Sequence, residues 1–175
     1  MRKLSLQELQ RLNVEDYKKV AKYPVVFVLD NLRSALNVGA AFRTADAFGL
    51  EGIHLCGICA QPPHKEISKT AIGATASVDW NYFSEIRDCV LLLKNVGYKI
   101  IGVEQTDQSI LLQNFKVQLD KKYALIFGNE VNGISDHILD LIDCSIEIPQ
   151  FGTKHSLNVS VSMGILGWHF RSKGL

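Results

Sequence analysis

Val25-Val26-Phe27-Val28-Leu29 is an unbroken apolar run, closed by the polar pair Asp30-Asn31. Its length, its β-branched and aromatic content and the turn formers after it predict a strand buried on both faces. Such a strand belongs to a parallel sheet with helices on either side, because only there does neither face meet water. The next segment agrees. Val38, Phe42, Ala45 and Phe48 fall at helical spacing, and Gly49 follows as a stop.

The same alternation runs outward to the end of the chain. Ile53–Ile58, Tyr98–Val103, Tyr123–Phe127 and Cys144–Ile148 read as strands, and Ala76–Trp80 as a short one. Helical patterns cover Ser84–Val96, with Ile86, Val90 and Leu93 in the stripe, and Ile134–Ile142, opening at the cap signal Ser135-Asp136. A last helix starts near Ser156 and carries Leu157, Val161, Ile165 and Trp168 on one face. The expected fold is α/β, a mostly parallel sheet with helices on both faces. Leu4–Val20, with Leu4, Leu9 and Leu12, predicts an amphipathic helix, so residues 1–24 form an N-terminal helical extension packed on a domain of residues 25–175.

Composition narrows the class. The 175 residues carry 19 Lys+Arg against 18 Asp+Glu, a formal charge of +1, unlike a histone-like or an acidic disordered chain. A local basic surface for nucleic acid is still compatible with that balance. The longest apolar stretch, Val159–Phe170, is interrupted by Ser160, Ser162, Gly164, Gly167 and His169, so no membrane span is expected. No apolar signal core precedes Glu15-Asp16, which predicts a cytoplasmic protein. Cys56 and Cys59 make a C-x-x-C pair without a matching second pair, and strand alternation sets them on opposite faces. Buried cytosolic thiols are the expectation, rather than a metal or redox site.

Ligands of open parallel sheets bind beyond the carboxyl ends of the strands. Three loops there carry polar and glycine residues in defined spacing: 31–43, 127–133 and 148–160. A phosphate-binding G-x-x-x-x-G-K-[ST] loop and a G-x-G-x-x-G turn are both missing. What stands instead is Asn37-x-Gly39-x3-Arg43, then Gly128-Asn129-Glu130-x-x-Gly133, then Ile148-Pro149-x-x-Gly152-x3-Ser156-Leu157-Asn158-Val159-Ser160.

These three motifs, in this order, resemble those of the SpoU/TrmH family of RNA ribose methyltransferases in the SPOUT superfamily. The resemblance runs from about Val25 through Phe170. It implies a C-terminal deep trefoil knot, S-adenosylmethionine held in the knot, a homodimer with the active site near its interface, and methyl transfer to a ribose 2′-hydroxyl of tRNA or rRNA. No metal is required by that chemistry. A noncatalytic RNA-binding module that keeps the fold is the alternative, and a base or small-molecule methyltransferase a weaker one.

Each residue also has a bland reading. Arg43 is either a surface arginine paired with Asp46 at i+3 or, by the resemblance, the group that acts on the ribose hydroxyl. Guanidinium stays protonated in proteins, so orienting phosphate and supporting a developing alkoxide suits it better than proton abstraction. Asn37 reads as an N-cap or as part of the active centre. Glu130 is a loop carboxylate at a helix start, or a member of the catalytic group that pairs with Asn37 or a partner residue. Ser156 and Asn158 either cap the last helix or contribute to catalysis. The resemblance further assigns Gln105, Gly128, Asn129, Ile148 and Leu157 to the cofactor. Arg33, Lys65, Lys69, Lys154 and His155 are candidates for RNA phosphate contact.

Overall fold

The computed structural model describes residues 1–5 and 7–175. The first strand, β1 (Tyr23–Asp30), is buried from Val25 onward, and its side chains alternate between two cores. Val25, Phe27 and Leu29 join one apolar cluster, while Val26 and Val28 join the other. Each fully buried side chain of this size is worth about 1.5–3 kcal/mol, so β1 is the strand around which both layers are built.

Helix α1 (Val14–Lys19) precedes it, and α2 (Ala35–Phe48), β2 (Leu50–Cys56), α3 (Lys65–Ala71), β3 (Trp80–Phe83) and α4 (Ile86–Asn95) follow. Then come β4 (Tyr98–Val103), β5 (Ile110–Leu111), β6 (Lys122–Phe127), β7 (Cys144–Glu147) and α5 (Val159–Ser172). Among the described residues seven strands form one sheet in the order β3-β2-β1-β6-β4-β7-β5, and every pairing is parallel. Helices α2, α3 and α5 supply the first cluster, and α4 with the 3₁₀ segment Asp136–Leu141 supplies the second. The expected α/β class with a parallel sheet covered on both faces is therefore present.

The chain leaves β1 for β2 and then β3 on one side, and leaves β6 for β7 on the other. The β1/β6 boundary is thus a topological switch point, where the loops after neighbouring strands part and leave a crevice.

Several local expectations are corrected. The N-terminal extension is helical only over Val14–Lys19, and no residue of that helix is buried. Leu4, Leu9 and Leu12 stay exposed, and Leu6 lies outside the described residues. The short strand falls at Trp80–Phe83, because residues 72–77 form turns. Ile134–Ile142 tightens into a 3₁₀ segment, which three-residue spacing of Ser135, Ile138 and Leu141 accommodates. The final helix begins at Val159 with Asn158 as its cap, and Ser156 lies outside it. Cys56 and Cys59 do part, one into each core, and all four cysteines are free thiols. Among the described residues no helix is long and apolar enough to cross a membrane.

Candidate active site

Ser34, not Asn37, caps α2: its hydroxyl accepts the Asn37 amide at 3.3 Å. Asn37 sits inside the first helical turn, which frees its side chain for another partner. That partner is Glu130. Asn37 Nδ2 donates to Glu130 Oε1 at 3.0 Å, and the same carboxylate accepts the Arg33 amide at 2.9 Å and the Ser34 amide at 3.1 Å. The contact spans the switch point, joining the loop after β6 to the loop and helix after β1. Partial burial opposes the charge on Glu130, yet the Arg33, Asn37 and Ser34 donors outweigh it and hold the carboxyl below its ordinary range.

The turn that carries Glu130 folds back over the end of β6. Asn129 and Gly133 exchange backbone hydrogen bonds at 2.8 and 2.9 Å. A β-carbon on Gly128 would lie 2.1 Å from the Gly133 carbonyl carbon and 2.2 Å from the Ile134 nitrogen. The close approach at Gly128 is therefore to its own returning turn. Asn129 donates from Nδ2 to the Asn31 carbonyl at 2.6 Å, a second tie across the switch point. Asp30, fully buried at the end of β1, accepts the Ser135 amide at 2.7 Å and the Ser135 hydroxyl at 3.1 Å.

Beside this turn lies a cavity of about 580 Å³, walled by the loops after β4, β6 and β7 and the start of α5. Gln105, Gly128, Asn129, Glu130, Ile148, Ser156, Leu157 and Asn158 all line it. Gln105 also donates from Nε2 to the His155 carbonyl at 2.8 Å, closing one rim. Val103, Ile148 and Leu157 give it apolar walls. Glu104, Glu130 and Glu147 contribute three carboxylates, and the lining holds no lysine, arginine or histidine. Such a cavity suits a ligand with an apolar planar part and a positive charge, and disfavours phosphates.

Two sequence candidates stand apart from it. Asn37 reaches the cavity only through Glu130. Arg43 is exposed two turns along α2, lines no part of the cavity, and makes no ion pair among the described residues. The alternative reading of Arg43, an ion pair with Asp46, does not form; Asp46 accepts the Ser77 hydroxyl. Of the basic candidates, Lys69 pairs with Glu66 at 2.6 Å, while Arg33, Lys65, Lys154 and His155 are exposed. Asp30 and Glu104 escaped the sequence reading, although a carboxylate closing an apolar strand at the ligand-binding edge was a usable signal.

The SpoU rRNA methylase family matches residues 24–168. A tRNA (guanosine(18)-2′-O)-methyltransferase of Aquifex aeolicus is 34% identical over 91% of this chain and 74% of its own. The enzyme of that name from Borreliella burgdorferi is 28% identical over 81% of this chain and 63% of its own. This chain thus spans about three fifths of the length of several curated relatives it matches. An rRNA methyltransferase of Sinorhizobium meliloti, solved with AdoMet bound, superposes with a TM-score of 0.81 over 91% of this chain and 60% of its own, at 24% identity, which shows a shared fold. With a match across residues 24–168 and these relatives beside it, the chain belongs to the SpoU rRNA methylase family.

Proposed function

We propose that this protein transfers the methyl group of S-adenosylmethionine to a ribose 2′-hydroxyl of tRNA or rRNA in the cytoplasm. The observation that carries the reading is the cavity at the strand ends, lined by three glutamates and by no lysine, arginine or histidine. It fits a sulfonium cofactor, whose positive charge the carboxylates favour and whose adenine the Val103, Ile148 and Leu157 walls accept. The relatives support it, being named 2′-O-methyltransferases of tRNA, as does the Sinorhizobium meliloti neighbour solved with AdoMet. When bound, the cofactor supplies an already activated methyl group.

The protein is left with alignment and charge. Glu130 fixes Asn37 and the turn at Arg33-Ser34, so the loops after β1 and β6 hold one geometry. Asn158 Oδ1 accepts the Ser160 amide at 2.8 Å and fixes the start of α5 against the cavity. The cavity repels phosphate, so RNA lies outside it, on exposed Arg33, Lys65 and Arg43. Arg43 orients the RNA backbone and supports the alkoxide that forms on the ribose.

Arg43 stands outside the cavity of its own protomer, which favours a homodimer in which it serves the partner's site. Exposed Leu36 on α2 and Leu157, Val161 and Trp168 at or along α5 offer the apolar surface for such pairing. The C-terminal segment, passing the cavity before α5 packs on α2, is proposed to thread the family's deep trefoil knot. The same position of Arg43 is the one observation that favours a noncatalytic RNA-binding module. Titration calorimetry beside a methyl-transfer assay separates the readings: the enzyme binds S-adenosylmethionine and not ATP, and loses RNA methylation but not cofactor binding in Arg43→Ala. A module binds RNA alone.

A further inference from the structure

Resting on the proposed methyl transfer, we propose that Glu104 is a positioning residue whose carboxylate fixes the turn carrying Glu130 and so sets the wall of the cofactor cavity. Glu104 leaves the sheet at the end of β4 and reaches over the end of its neighbour β6. Its Oε1 accepts the Gln105 amide at 2.9 Å, and its Oε2 accepts the Ile134 amide at 3.2 Å. On the opposite flank of β6, Asp30 holds the next residue, Ser135, by amide and hydroxyl. Two carboxylates from the strands on either side of β6 thus take consecutive amides of one turn.

Gly133 shows how closely Glu104 fits. Its φ is +70°, and a β-carbon there would lie 2.2 Å from Glu104 Oε2. The carboxylate fills the space a side chain would need, in a left-handed conformation that L side chains rarely adopt. Glu104 also lines the cavity next to Gln105, which holds the His155 carbonyl. One side chain therefore braces the turn after β6 from inside the cavity, and its backbone neighbour braces the loop after β7.

A carboxylate in this place could instead act only through its charge on a cationic ligand. Two variants of the full chain separate these roles. Glu104→Gln keeps the length but has one oxygen acceptor, so its amide nitrogen faces an N–H. Glu104→Asp keeps the charge but is one methylene too short to reach both amides.

The first readout is hydrogen exchange at Ile134 and Gly133 in the cofactor-free protein. It is expected to rise about tenfold in both variants, the loss of one hydrogen bond to a charged group. In the second readout, kcat for RNA methylation falls about tenfold in both, with the RNA KM within about twofold. Unchanged exchange in Glu104→Gln overturns the inference, as does activity kept in Glu104→Asp and lost in Glu104→Gln. A native protein that methylates no RNA defeats the functional reading instead, and exchange then decides the inference alone.

Discussion

Asn37 Nδ2 donates to Glu130 Oε1 across 3.0 Å, joining residues 93 positions apart on either side of the sheet's switch point. The Arg33 and Ser34 amides converge on the same carboxylate. Glu130→Gln leaves one oxygen for three donors and turns an amide nitrogen toward them. Hydrogen bonds to a charged group carry about 1.5–3 kcal/mol, so methylation should fall about ten- to a hundredfold in single-turnover assays. The carboxyl is held below its ordinary 4.5 in the folded state. Its contribution is therefore complete above that value and lost as pH falls through the lower folded-state value. Accordingly, the gap in thermal stability between the native protein and Glu130→Gln should be constant near neutrality and close under acid.

Gly128→Ala tests the returning turn. The added carbon meets backbone atoms at 2.1 and 2.2 Å, and backbone cannot yield as a flexible side chain can. Overpacking of this kind costs about 1–3 kcal/mol or more, read as a lower urea midpoint with an unchanged slope. Cofactor affinity should fall with it, because the turn is a wall of the cavity.

Three of the four cysteines, Cys56, Cys59 and Cys89, should be silent in the folded protein. Burial pushes the Cys59 thiol up to about 11, and a hydrogen bond with the Cys89 thiol, then burial, raises Cys56. Neither carries a thiolate at neutral pH, and Cys56, Cys59 and Cys89 are closed to solvent. A coloured thiol reagent should therefore reach Cys56, Cys59 and Cys89 only after unfolding, and rapid labelling of Cys59 in the native state would contradict this.

Arg43→Ala should leave stability within about 0.5 kcal/mol, since the side chain is exposed and unpaired among the described residues, while abolishing methylation. Mixing Arg43→Ala and Glu130→Ala subunits tests where Arg43 acts. If it serves the partner's site, each mixed dimer has one intact site, and an equimolar mixture recovers about a quarter of native activity. Action within its own subunit predicts no recovery.

How far the sequence could be read follows from burial. β1 was legible because both faces are covered, which leaves an apolar run that only a central strand accepts. α2 was legible because one stripe is buried and Gly49 ends it. α3 and the two-residue β5 were not, being short and largely exposed, with too few apolar positions to set a period. The motif loops were legible as sites, but local sequence does not show which side chains meet. Asn37 looked like a cap, yet Ser34 takes that place and Asn37 turns to Glu130. Asp30 and Glu104 stand at strand ends with nothing local to mark their roles, because the amides they accept lie 105 and 30 residues away.

The most direct measurement follows tritium from the methyl group of S-adenosylmethionine into tRNA and rRNA, with digestion of the product to nucleosides. The account predicts label in a nucleoside methylated on the ribose, in a linkage resistant to alkaline cleavage, and none with Arg43→Ala. Label on a base, or a protein that binds the cofactor and transfers nothing to any RNA offered, would contradict it.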